Sequence, residues 1–171
     1  MIRPRIVFYS LVLFLMIVVS CSTEPENSGP LDLTINILGN PQCNHSKSAE
    51  ITLQTSASQS CLEYAFDQDN GKLIIRHLNA AFNCCPDSLW CTATLRNDTI
   101  IIQEFEKKKG CKCDCLYDLD IEIEGMEPGK YQLKLIEPYV EKQNEICFEM
   151  DLLNHKQGSH CANRSQYPYG E

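Results

Sequence analysis

The sequence predicts an all-β domain, an antiparallel β-sandwich of about seven strands, and three observations lead there. Apolar residues in the body of the chain recur with period two rather than 3.6. Turn-forming residues punctuate those runs at short intervals, and no stretch carries a convincing amphipathic helix pattern. Short strands with regular turn signals pack face to face to bury their apolar sides, which is the sandwich solution.

Each strand has its own signal. Leu31, Leu33, Ile35 and Ile37 alternate with Asp32, Thr34 and Asn36, and the pattern stops at Gly39-Asn40-Pro41. A second strand is predicted over Glu50 to Thr55, and a third over Lys72 to Leu78, introduced by the turn Asp69-Asn70-Gly71. Ser88 to Arg96 and Thr99 to Phe105 flank Asn97-Asp98, two residues that tolerate the left-handed conformation a tight hairpin needs. The last pair is Cys115 to Glu124 and Lys130 to Glu137, joined by Gly125-Met126-Glu127-Pro128-Gly129.

The segment from Gly125 through Lys130-Tyr131-Gln132-Leu133 resembles the hairpin before the final strand of many bacterial immunoglobulin-like and fibronectin-like domains. The resemblance implies a sandwich of that type and a role in adhesion, spacing or carbohydrate handling. A fold of this kind does not carry a function with it.

The N-terminal end follows different rules. Arg3 and Arg5 precede an apolar stretch from Ile6 to Val19 interrupted only by Ser10. A basic start and a short apolar run describe a secretory signal, too short to cross comfortably a bilayer core of about 30 Å. The run closes on Val18-Val19-Ser20-Cys21, which resembles the bacterial lipobox. That resemblance implies lipidation of Cys21, with palmitate among the expected acyl chains, and cleavage just before it. Two or more chains anchor stably, at roughly 0.8 kcal/mol per buried CH₂. Ser22 rather than Asp after the cysteine points to the outer membrane of a Gram-negative envelope.

Residues 1–20 are therefore expected to be a lipoprotein signal peptide, 21–30 a flexible tether and 31–171 a single domain. Ser22 to Pro30 has two prolines and no large apolar side chain, and nine such residues span roughly 15–18 Å end to end. About 150 mature residues suffice for one ordinary core.

Composition narrows the partners. Removing residues 1–20 takes away Arg3 and Arg5 but no acid, leaving 13 basic against 23 acidic side chains, a net charge of −10. Such a surface disfavours nucleic acid, and membrane attachment must rest on the lipid. A protein or glycan partner is left open.

Ten cysteines remain after Cys21: Cys43, Cys61, Cys84, Cys85, Cys91, Cys111, Cys113, Cys115, Cys147 and Cys161. An even set in an exported chain reads as a disulfide framework. Cys111, Cys113 and Cys115 fall on the parity of Tyr117, Leu119, Ile121 and Ile123, so a continuous strand turns all three thiols to the core side. The expected pairing sets Cys84, Cys85 and Cys91 against Cys111, Cys113 and Cys115 in open order, with Cys43–Cys61 and Cys147–Cys161 as more local closures. The alternative is an envelope metal-binding protein using the thiols around Cys84 and Cys111, since Zn²⁺ and Cu(I) favour sulfur. The C-x-C-x-C run fits zinc poorly, because two sulfurs usually reach one ion across a turn of C-x₂-C or longer.

No catalytic residue and no cofactor is predicted. The chain lacks a Gly-rich phosphate loop, a G-x-S-x-G elbow and an H-E-x-x-H motif. His45, His155 and His160 read as loop histidines, and His77 as a hydrogen-bonded residue of a strand. Asp118, Asp120, Glu122 and Glu124 share one strand face and read as a solvated exterior. Trp90 points away from the face of Cys91, to pack under a loop or to stand as an exposed aromatic contact. Asp87-Ser88-Leu89 and Asp98-Thr99-Ile100 resemble a short bacterial O-glycosylation acceptor, and the tail around Tyr167-Pro168-Tyr169 could strap the domain or meet a partner.

Overall fold

Nine strands carry the period-two pattern in a computed structural model that describes residues 30–44, 58–108, 111–140 and 145–165. They are β1 (Leu31–Leu38), β2 (Gln59–Asp67), β3 (Lys72–Asn83), β4 (Pro86–Arg96), β5 (Thr99–Lys108), β6 (Asp114–Glu124), β7 (Lys130–Ile136), β8 (Cys147–Asp151) and β9 (Gln157–Asn163). The all-β class stands, but the strands number nine rather than seven. They form one mixed sheet in the order β8-β7-β5-β4-β1-β6-β3-β2-β9, with β5 and β7 parallel and every other pair antiparallel.

The edge strands β8 and β9 are consecutive in the chain and meet through side chains. Phe148 stacks on His160 with ring centroids 4.8 Å apart, and Tyr64 of β2 lies 6.2 Å from Phe148. The sheet thereby curls into a nearly closed barrel instead of two separate layers. Its interior is filled by Leu62, Leu73, Ile75, Ile100, Ile102, Leu119, Ile121, Ile123 and Leu133, all fully buried. Burying a side chain of this size contributes roughly 1.5–3 kcal/mol.

Several expectations change. Gly125 to Gly129 does not close a hairpin: β6 pairs with β1 and β3, and β7 with β5 and β8, so the segment crosses from one part of the sheet to another. Nor is β7 the last strand, since β8 and β9 follow it. β2 and β9 lack clean alternation in the sequence, and β8 is only five residues long. The strand expected over Glu50 to Thr55 lies outside the described residues, as do the signal segment, Cys21, the tether as far as Gly29, and Tyr167 to Tyr169.

The Asn97-Asp98 hairpin forms as expected, with φ of 45° and 61° at its two central residues. A third left-handed residue, Asn79 at φ 61°, marks a bulge in β3, where the pairing with β6 slips between His77 and Ala80. The bulge inverts the strand's parity. Leu73, Ile75 and His77 point inward before it, and Ala80 and Phe82 after it. Asn79 is held there by the Asp118 carboxylate, which accepts from its backbone N–H, and by donating its own amide to the Gln59 carbonyl.

The acidic face of β6 is solvent-side, as its parity predicts. Lys72 pairs with Glu122 and Glu124, and Arg76 with Asp118 and Asp120, across the β3–β6 ladder. Trp90, 43% exposed, stacks flat on Phe105 directly opposite it on β5, which is the exposed aromatic contact rather than burial under a loop.

Candidate functional site

All strand connections fall at one of two ends, and the described sulfur pairs gather toward one of them. Cys43 pairs with Cys115, Cys61 with Cys161, Cys84 with Cys113 and Cys85 with Cys111. Two of these join the Cys84-Cys85 step to the run before β6, within the expected cluster. The others correct the local closures: Cys43 reaches Cys115 rather than Cys61, and Cys61 faces Cys161 in the β2–β9 register. The single-face arrangement of three thiols also gives way, because β6 begins only at Asp114. Cys115 is buried on the core side, whereas Cys111 and Cys113 are exposed residues ahead of the strand.

Cys91 and Cys147 remain thiols, so the expectation that all ten pair does not hold. Parity explains it. Cys91 faces the interior of β4, and Cys147 faces out from β8, three strands further round the sheet. Burial, reinforced by the charge of Glu104 opposite it on β5, pushes the Cys91 pKa up, so this thiol stays protonated and unreactive.

Between the end of β1 and the start of β4 lies a cleft of about 440 Å³. Gly39 to Cys43 form one wall, Cys84 to Leu89 the other, and Ile37 and Tyr117 complete the lining. Its cause is visible in the register. β1 pairs with β4 only over Leu31 to Leu33, then leaves it to pair with β6 from Thr34 to Leu38. The two strands diverge, and the opening widens toward the cysteine end. Three sulfur pairs tie its walls and floor to the Cys111–Cys115 segment, so the cleft is braced rather than loose.

A second constellation is enclosed. From one side of the barrel, Ser60 of β2 and His77 of β3 point inward; from the other come Glu104 of β5 and Glu137, just past β7, with Arg164 past β9. His77 Nδ1–H donates to Glu104 Oε1 at 2.7 Å, and its Nε2 lies 2.8 Å from Ser60 Oγ and 3.5 Å from Glu137 Oε1. Arg164 Nη2 donates to Glu137 Oε2. Burial alone lowers the His77 pKa, but the charge and hydrogen bond of Glu104, together with Glu137, outweigh burial and Arg164 and raise it. The Glu137 pKa is also raised, by burial first and by Glu104, against His77 and Arg164.

Hydroxyl, imidazole and carboxylate in this sequence have the connectivity of a nucleophile relay. The surroundings argue otherwise. Ser60 and His77 have no exposed surface, Glu104 has 2%, and none of them lines the cleft. Ser60 Oγ is closed off from solvent among the described residues, and the group forms a charged cross-brace between opposite walls. The hydrogen-bonded role expected of His77 is thus found, whereas Ser60, Glu104, Glu137 and Arg164 carry no local sequence signal. The order of the strands around the barrel, which sets β2 and β3 across the interior from β5 and the end of β7, brings them together.

The remaining candidates scatter. His155 is exposed in the turn before β9, His160 stacks on Phe148, and His45 lies outside the described residues. Ser88 lines the cleft, exposed, and Thr99 is half-buried beside the hairpin turn. Among the described residues, no group of three or more His, Cys, Asp or Glu is placed to hold a metal ion, and no helix is long and apolar enough to cross a membrane.

No protein-family model matches this chain, and neither a curated protein nor a solved structure matches it. The functional reading therefore rests on the residues themselves.

Proposed function

We propose that the chain is an exported cell-envelope protein, held to the outer membrane of a Gram-negative bacterium by lipid on Cys21, whose single β domain is a binding or structural module with the braced cleft as its binding site. The observation that carries this reading is the cleft's construction: one wall follows directly from β1 and the other leads into β4 of the same sheet, and sulfur pairs fix them at the end where the sheet opens. Pairs of this kind persist in an oxidising compartment, which agrees with an export signal. In this reading the barrel is an elaborated form of the immunoglobulin-like or fibronectin-like sandwich, with β1 passing from one layer to the other.

The metal-binding alternative draws on the same cysteines, and the pairing of Cys84 with Cys113 and Cys85 with Cys111 speaks against it. Intact mass of the purified mature protein separates the two. The proposal expects acyl chains on Cys21, loss of eight hydrogens relative to the reduced chain, and alkylation of Cys147 in the folded state with Cys91 reacting only on unfolding. An unlipidated N-terminus overturns the anchor. Ten alkylatable thiols with bound metal move the reading to the alternative.

A further inference from the structure

The divergence of β1 from β4 leaves more than a cavity. Arg96 and Thr99 close a two-residue hairpin, so that pair exchanges both its hydrogen bonds, and alternate pairs down the ladder do the same. Thr94, Thr92 and Trp90 therefore spend their main-chain groups on β5, while Leu95, Ala93, Cys91 and Leu89 turn theirs toward β1. Leu95 and Ala93 find Leu31 and Leu33 there. Beyond Ala93, β4 has no strand on that side among the described residues, and from Thr34 onward β1 has none on the flank it turns to β4.

Among the described residues the sheet thus has a gap bounded by two strand edges. From Pro86 to Thr92 it offers roughly 20 Å of edge at about 3.3 Å per residue. Edges of this kind are usually blunted or covered, because unpaired N–H and C=O groups in register recruit another strand. Here the first part of the edge, Pro86 to Leu89, lines the cleft beside apolar Ile37 and Pro41 and polar Asn40 and Gln42. Such a row of main-chain donors and acceptors is complementary to one chemistry, an extended polypeptide backbone.

We propose that the cleft takes an extended segment of a partner protein, which adds as a strand along the free edge of β4 and fills the gap between β4 and β1. The inference rests on the reading of the cleft as the binding site and names its ligand class. The partner segment alternates apolar side chains toward Ile37 and Leu89 with polar ones toward solvent, as the period of two requires. Its affinity comes from main-chain hydrogen bonds, and its selectivity from the apolar positions.

The test selects peptides from a phage-displayed library of random dodecapeptides on the mature, oxidised, lipidated protein in vesicles. The best are then synthesised with and without N-methyl groups at alternate residues. Expected are enrichment of sequences with period-two apolar patterning, slowed amide exchange at Leu89 and Cys91 on binding, and about tenfold weaker binding per N-methyl group on the edge-facing register, with the opposite register tolerated. Leu89→Pro, which removes one edge donor not used by β5, should abolish binding, and Arg76→Ala on the outer face of β3, away from the cleft, should leave it. If peptides protect cleft amides yet tolerate N-methylation in both registers, strand addition is wrong while the cleft remains a binding site. No enrichment, or amides at Leu89 and Cys91 already protected in the free protein by its own chain or a second copy, overturns the proposal. The lipid and the sulfur pairs are read separately by mass, so neither result depends on the other.

Discussion

The two ends of the barrel are built from opposite materials. At the turn end the chain reverses through short connections: Asp67 to Gly71, Asn97-Asp98, Gly125 to Gly129 and Leu152 to Lys156. Asp67 and Asp151 carboxylates accept hydrogen bonds from the residues that follow, Leu73, Ile100, Ile123 and Leu133 pack inside, and among the described residues no cysteine lies in these turns. At the other end the sheet opens between β1 and β4, and sulfur pairs and a buried charged group are added to apolar residues such as Leu62 and Phe82. The difference teaches where cross-links become useful. A turn of a few residues with its polar groups satisfied needs none, whereas an opening that exposes a cleft loses packing partners and requires a brace that does not depend on burial.

Removing one buried partner should give the largest effect. Arg164→Met leaves Glu137 without its guanidinium, and loss of one member of a buried pair costs about 3–5 kcal/mol. Leu73→Ala at the turn end should cost about 2–5 kcal/mol by cavity formation. Urea unfolding of both variants at several pH values checks this, because only the first should alter the pH dependence. Equal behaviour would erase the contrast between the ends.

Reduction comes next, at about 2–4 kcal/mol per bridge. Mild reductant should accelerate amide exchange around Cys84, Cys113 and Cys115 while strands near Leu73 and Ile123 stay protected. Uniform loss of protection would mean that the sulfur pairs support the whole barrel rather than one end.

A smaller effect is expected from pH. The His77 pKa is raised above 6.5 and that of Glu137 above 4.5, so the folded state retains protons that the unfolded chain releases. Their contribution is fully present below those unfolded values and is lost as pH rises through the folded ones. Unfolding free energy measured from pH 6 to pH 9 should therefore fall through this pair, and His77→Gln should flatten the slope.

Smallest of all is the outer ladder. Arg76 is half exposed, and pairs of this kind contribute about 0–1 kcal/mol, so Arg76→Ala should shift the unfolding midpoint little. A large shift would place part of the cysteine end's stability on the Asp118–Asn79 bulge that this pair adjoins.

The class and six of the nine strands were legible because alternation is local: a residue's face follows from its neighbours two positions away. The Asn97-Asp98 turn was legible for the same reason, since its conformational demand lies in two residues. β2, β8 and β9 were not, because β2 is buried on consecutive residues where it begins, at Ser60, Cys61 and Leu62, β8 is short, and β9 carries Gly, Ser and His at positions whose burial depends on what lies across the sheet. The site was legible only as a set of cysteines. Proximity of Cys43 to Cys115 crosses 72 residues of chain and that of Cys61 to Cys161 crosses 100, beyond what spacing can encode.

By itself, then, the sequence determined the all-β class, which residues face inward along six strands, the acidic solvent face of β6, and a set of cysteines suited to pairing. These depend on side-chain parity and turn chemistry. The tertiary structure alone decided that β1 changes partners, that the resulting gap is a cleft, and which sulfurs meet. It also decided that Ser60, His77, Glu104, Glu137 and Arg164 join across the interior. Each of those depends on the order in which strands lie side by side, and a chain's linear pattern specifies the faces of its strands but not their neighbours.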